Sequence, residues 1–235
     1  MDTLNGRLLD CEVLSTRDVN RALRALGPGD DARVVRPGGR HNLAVGLAGA
    51  VTVTVEGNAG YFLGGLCGAG DGTGPAIVVE GFVGWSVGEN LMGGSIRVRG
   101  SASQSAASSA RGGLVVVEGD CSLRAGISLK GGTLAVAGDV GAMSGFMAQA
   151  GTILVGGNAG HGLGDSLYEA VIYVAGSIAS LGADAVVEEL TDDDVLAVKR
   201  LVEAAGFDHV EPDRVTKVAS ARQLYHFSSH NHGAY

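Results

Sequence analysis

The sequence predicts an all-β fold, a solenoid of stacked coils, and three observations carry that prediction. Glycines recur at Gly57, Gly81, Gly100, Gly119, Gly138, Gly157 and Gly176, every 19 residues after one opening interval of 24. Two residues before each marker stands a valine (Val55, Val79, Val98, Val117, Val136, Val155, Val174), and four before it an aliphatic residue (Val53, Ile77, Ile96, Val115, Leu134, Ile153, Ile172). That alternation is the pattern of a strand with one buried face, and a strand recurring at a fixed interval marks a solenoid. A glycine code follows the marker: Gly57, Gly60 and Gly64; Gly81, Gly84 and Gly88; Gly138, Gly141 and Gly145; Gly157, Gly160 and Gly164. The other three units relax it to small residues, Ser103 with Ala107, Ser122 with Gly126, and Ala179 with Ala183. Glycine serves where φ must be positive or another backbone lies close, as at the corners of a tight coil.

The elements follow in chain order. Ser15 and Thr16 can cap a first helix whose Val19, Ala22, Leu23 and Leu26 keep helical spacing, and Gly27 with Pro28 stops it. About seven coils of 19 residues come next, roughly 30 Å of stack at the strand spacing of a sheet. The opening interval is longer by a glycine-dense stretch, Gly68 to Gly74, expected to be a loop. Thr191 and the acidic Asp192, Asp193 and Asp194 then start a second helix, with Val195, Val198, Leu201, Val202 and Ala205 as its apolar stripe and Gly206 as its stop. The expected organisation is a cap with helix over 1–45, the solenoid over 46–187, and a helix with a docking tail over 188–235. Helical caps suit the ends because terminal coils otherwise expose core and strand edges.

Within the coil the alternation assigns inside and outside. Val136, midway along the valine column, is expected in the core, and Arg97, in the outward column, is expected to tolerate replacement. The outward column reads Thr54, Val78, Arg97, Val116, Ala135, Leu154 and Tyr173, and its later members are apolar. Something must cover them: either the chain's own tail, with Leu224, Tyr225 and Phe227, or a partner subunit. Leu154, Tyr173, Leu224, Tyr225, Phe227 and Tyr235 are therefore the candidate docking residues.

Composition narrows the function classes. A hydrophobic share of 46% supports a sizeable core, while a formal charge of −8 without any basic run argues against nucleic acid. Asp2, Arg7, Asp10, Glu12 and Arg17 leave no apolar core for a signal peptide, and no stretch is long and apolar enough for a bilayer helix, so a cytosolic protein with no membrane partner is expected. Cys11, Cys67 and Cys121 lie more than fifty residues apart, and Cys121 falls in an apolar column with Ala59, Val83, Ala102, Val140, Ala159 and Ile178, which reads as a buried small hydrophobe. Catalytic grammar is thin. There is no Gly-Lys dipeptide for a phosphate loop, the glycine-dense stretch precedes a strand rather than a helix, and Gly94-Ser95 begins a strand. His161 with Asp165 shares one corner, and His226, His230 and His232 crowd the tail, where they could bind metal weakly or simply dock. No catalytic, cofactor or metal residue is assigned.

These units resemble the GXGXG β-helix domain of the glutamate synthase large subunit, and also the β-helix subunit of formylmethanofuran dehydrogenase, over roughly Val51 to Ala185. More specific runs are Val87 to Gly100 (VGENLMGGSIRVRG), Gly126 to Gly131, Phe146 to Gly151, Leu163 to Ala170, Ser180 to Asp184 and Ser220 to Phe227. These are similar to the family of the small free-standing β-helix subunit of N-methylglutamate synthase (methylamine–glutamate N-methyltransferase). The resemblance implies a right-handed single-stranded β-helix that serves as a non-catalytic subunit of a hetero-oligomer. The implied partners are a class II glutamine amidotransferase-like subunit and an FMN-containing synthase-like subunit, with FMN and an iron–sulfur cluster in a partner and no cofactor here. The alternative is the corresponding subunit of formylmethanofuran dehydrogenase or another structural β-solenoid.

Overall fold

The structure, a computed structural model, describes residues 6–223. The elements are β1 (Arg7–Asp10), α1 (Thr16–Arg24), β2 (Asp31–Val35), β3 (Thr52–Glu56), β4 (Gly72–Val79), β5 (Gly93–Val98), β6 (Leu114–Val117), β7 (Lys130–Val136), β8 (Ala150–Val155), β9 (Val171–Val174), β10 (Ala185–Glu188), α2 (Asp192–Ala205) and β11 (Thr216–Ser220). All eleven strands form one sheet in the order β1-β2-β3-β4-β5-β6-β7-β8-β9-β11-β10. The fold is a β-solenoid, as the glycine beat predicts.

The predicted columns are the observed ladder. Val53 pairs in parallel register with Ile77, then Ile96, Val115, Leu134, Ile153 and Ile172, and Val55 leads the valine column through to Val174. Both columns are buried along their whole length. Burying each such side chain contributes on the order of 1.5–3 kcal/mol, and no coil achieves it without its neighbours. Two residues past the marker, a second ladder of isolated parallel bridges joins Ala59, Val83, Ala102, Cys121, Val140, Ala159 and Ile178. Cys121 is thus buried among small hydrophobes, as its column predicts.

The glycine code divides into two physical roles. Gly145 lies at φ +72°, and a Cβ there would come within 2.6 Å of the Ile172 Cδ1 atom, so its corner needs both left-handed backbone and space. Gly141 has ordinary φ, but a Cβ would sit 2.8 Å from the Ser122 carbonyl carbon of the previous coil. The third side of each coil also uses left-handed residues that are not glycine, including Phe62, Leu66, Ser105, Ser109, Met143 and Met147.

The ends differ from expectation. The first 45 residues contain more than a helical cap, because β1 and β2 add two parallel rungs below β3, with Ala32 and Val34 in register with Val53 and Val55. Helix α1 is capped by Ser15, whose hydroxyl accepts from the Asp18 amide at 3.2 Å, and it buries Val19 and Leu23 on the core. The glycine-dense stretch is only partly loop: β4 already begins at Gly72, with a register irregularity before Ala76. At the other end β11 runs antiparallel between β9 and β10, so the segment after α2 returns to the sheet. No helix among the described residues is long and apolar enough to cross a membrane.

Candidate functional site: the faces of the solenoid

The apolar outward column is covered by the chain itself. Val116, Ala135, Leu154 and Tyr173 pair in register across β6 to β9, and they pack against Val198 and Ala205 of α2 and Phe207, Val210 and Val215 beyond it. This corrects the expectation for Leu154 and Tyr173: both are buried and present no surface to a partner. The apolar stripe of α2 matches the apolar outward column, so burying one against the other satisfies both. Leu224, Tyr225, Phe227 and Tyr235, like His226, His230 and His232, lie outside the described residues.

One carboxylate anchors that cover. Asp194, in the first turn of α2, accepts from Tyr173 Oη at 2.6 Å, from the Thr191 amide at 2.9 Å and hydroxyl at 2.7 Å, and from Lys217 Nζ on β11 at 3.0 Å. The Asp194 amide in turn donates to Thr191 Oγ1, closing a capping box. Burial opposes the charged form of Asp194, but the hydrogen bonds from Tyr173, Thr191 and Lys217 outweigh it and hold the carboxyl well below the usual range. Burial and the Asp194 bond push the Tyr173 phenol up, and the Asp194 bond raises the Lys217 ammonium. The acidic triplet is therefore a helix start in which the third member ties β9, α2 and β11 together.

Arg97 also departs from expectation. Its guanidinium donates to Glu118 Oε1 at 2.9 Å and to the carbonyls of Ala205 at 3.0 Å and Ala204 at 3.1 Å. It thereby closes the C-terminal end of α2, where unpaired carbonyls favour a cation. Helix α2 is held at both ends by residues of the coil or by strands docked on it.

The remaining candidates take structural places. His161 and Asp165 are engaged separately: His161 Nδ1 lies 3.4 Å from Ser180 Oγ, while Asp165 accepts from the Ser166 hydroxyl at 2.8 Å and the Ala183 amide at 3.1 Å. Cys11, Cys67 and Cys121 are all buried, and burial pushes the Cys67 thiol up to about 11. Among the described residues no cluster of three or more His, Cys, Asp or Glu is placed to hold a metal.

Two features escaped the sequence reading. Directly after the marker, side-chain oxygens accept from the backbone of the next coil: Asp120 from the Asp139 amide at 2.8 Å, Asp139 from the Asn158 amide at 2.6 Å, and Asn158 from the Ser177 amide at 2.9 Å. Rings stack along the solenoid axis, Tyr61 on Trp85, each four residues after its marker, with centroids 5.2 Å apart, and His41 of the coil before on Tyr61 at 4.3 Å. Around this ridge Tyr61, Phe62, Trp85, Phe82 and Leu66 remain 40–55% exposed. Beside it lies a groove of about 190 Å³ lined by Asn42, Val45, Phe62, Gly65, Leu66, Glu89 and Asn90. The signal for both was the register itself, since each group shares one position of the repeat.

No protein-family model matches the chain. It is 49% identical over 231 residues to Protein GlxC of Rhizobium meliloti (strain 1021), an alignment that spans 97% of this chain and 99% of that protein. With the two proteins similar from end to end, the chain belongs to the GlxC family.

Proposed function

We propose that the chain is a non-catalytic β-helix scaffold subunit of a glutamate-synthase-like complex, and more finely of N-methylglutamate synthase, which forms N-methylglutamate from methylamine and glutamate. On this reading it positions a class II glutamine amidotransferase-like subunit and an FMN-containing synthase-like subunit in a cytosolic hetero-oligomer. FMN and an iron–sulfur cluster reside in a partner.

The observation that carries the reading is the continuous parallel ladder of nine strands, β1 to β9, reinforced by the bridge ladder on a second side of the coil. A body built this way resists bending because each rung is bonded to its neighbours at more than one place around the coil. Rigidity of that kind suits a spacer between two sites whose distance and angle must stay fixed for a diffusible amine to pass from one to the other. The end-to-end similarity to Protein GlxC, together with the motif runs from Val87 to Gly100 and from Leu163 to Ala170, supports the reading as a subunit of a glutamate-synthase-like complex.

The test is reconstitution. The purified chain alone should not turn over methylamine and glutamate; mixed with the amidotransferase-like and FMN-containing subunits it should co-elute with them and restore N-methylglutamate formation. Turnover by the isolated chain, or full activity of the partners without it, would remove the scaffold reading.

A further inference from the structure

Phe62 and Leu66 are costly residues for their positions. Both take left-handed backbone, at φ 60° and 58°, and both are large, apolar and 41% and 55% exposed. Most other coils place small or polar residues at the same two register positions: Ser86 with Asn90, Ser105 with Ser109, and Gly162 with Ser166. Bulky side chains are uncommon in left-handed backbone, and strain of this sort is retained where a function needs it. Beside them the exposed Tyr61, Trp85 and Phe82 complete a contiguous apolar face on successive coils. Met143 and Met147 repeat the departure four coils on, roughly 19 Å along the same side, but polar residues on the coils between separate them from this face.

The groove in this face has a definite chemistry. Phe62, Leu66 and Val45 supply apolar wall, Asn42 and Asn90 supply amides, and Glu89 supplies a carboxylate that no ion pair among the described residues engages. At about 190 Å³ it is smaller than the pockets that enclose whole ligands, but it suits one long side chain. The chain carries a formal charge of −8, which favours a cationic visitor.

We propose that this face is a protein-docking surface, and that the groove takes one lysine or arginine side chain of a partner subunit. The alkyl stem lies along Phe62 and Leu66, the cationic head meets Glu89, and the Tyr61–Trp85 ridge packs on apolar surface around it. The inference rests on the scaffold reading and adds to it the face that a partner meets.

Trp85 is the single tryptophan of the chain, so labelling with 5-fluorotryptophan gives one fluorine resonance, located on the ridge. The experiment mixes labelled chain with each unlabelled partner subunit, amidotransferase-like and FMN-containing, and follows co-elution and the resonance together. Docking here shifts or broadens the resonance on complex formation. The double variant Phe62→Ser with Leu66→Ser gives this coil the residues found at Ser105 and Ser109; it should melt no lower than wild type yet bind the partner about tenfold or more weakly. Glu89→Lys should weaken binding comparably, and Glu89→Gln less. A complex that forms without moving the resonance, or that the variants join as tightly as wild type, overturns this surface and leaves the scaffold reading standing. Failure of wild type to join either partner overturns both. A resonance that moves with the concentration of the chain alone, and stops moving in the variants, identifies a second copy as the occupant and overturns the proposed partner.

Discussion

Replacing Asp194 tests whether one side chain holds α2 against the solenoid. In Asp194→Ala the Tyr173 hydroxyl, buried under α2, loses its acceptor, and Lys217, mostly buried, loses its closer carboxylate while keeping Glu188 at 3.3 Å. An unsatisfied buried hydroxyl costs about 1–3 kcal/mol, loss of the capping box about 1 kcal/mol, and a mostly buried cation left with one carboxylate instead of two adds to these. The expected loss is about 3–5 kcal/mol in urea unfolding. Because the coils keep their own ladder, native-state hydrogen exchange should show α2 and β11 opening first. The acid limb supplies a second readout. A carboxyl held low in the folded state contributes stability that is present above its unfolded value, near 4, and is lost as pH falls below it through the folded value. Asp194→Asn should flatten that limb. At the alkaline end Tyr173 and Lys217, both raised, lose their contribution as pH climbs through and beyond roughly 10. A variant within 0.5 kcal/mol of wild type, or one with an unchanged acid limb, would refute the anchoring role.

Arg97→Ala should cost about 1.5–3 kcal/mol, since two charge-assisted bonds close the end of α2 and a third holds the guanidinium on Glu118, and a melting temperature unchanged from wild type would show that α2 docks without them. Gly141→Ala should destabilise the fold by a few kcal/mol, because the new Cβ meets rigid backbone of the coil before, whereas in Gly145→Ala the obstacle is the tip of Ile172, which can rotate, and about 1–2 kcal/mol of left-handed strain remains. Equal losses in thermal melts would merge the two glycine roles. Val136→Asp, which places a carboxylate at the centre of a buried column, should abolish soluble expression, and a folded variant with a native circular-dichroism spectrum would reverse the inside and outside of the coil.

Much of this fold could be read from the sequence because one register repeats. The Val53 and Val55 columns, the Cys121 column and the caps at Ser15 and Thr191 are all local patterns repeated or bounded by glycine. The two N-terminal rungs were harder to see. Ala32 and Val34 fit the aliphatic columns, but by the pairing of Val35 with Glu56, Arg36 stands where the marker glycine belongs, and α1 interrupts the spacing before it. Strand β11 was invisible for a different reason: it pairs across more than forty residues with β9, and its five residues carry no periodic mark. The cover on Leu154 and Tyr173 was legible as a need for burial, not as an identity. Apolarity says that a surface must be covered, and only the path of the chain after α2 says by what. Arg97 was misjudged, and Asp194, rightly read as part of a helix start, gave no sign of its bonds to Tyr173 and Lys217, because those partners belong to other elements and no spacing within one repeat records them.

The arrangement of β9, β11 and α2 gives the ladder a direction of unzipping. At its far end the stack finishes in a clasp: β11 is bonded on both sides, and Lys217 on it shares Asp194 with Tyr173 of β9. At its near end β1 has one partner strand among the described residues, Leu8 faces outward, and the ion pairs of Arg36 with Asp10 and Glu12 lie on the surface, where salt screens them. A ladder whose rungs depend on their nearest neighbours frays from its looser end. Amide protection should therefore climb along the chain from β1 toward β8, so that a mechanical or thermal load empties the first coils while those beneath α2 still stand.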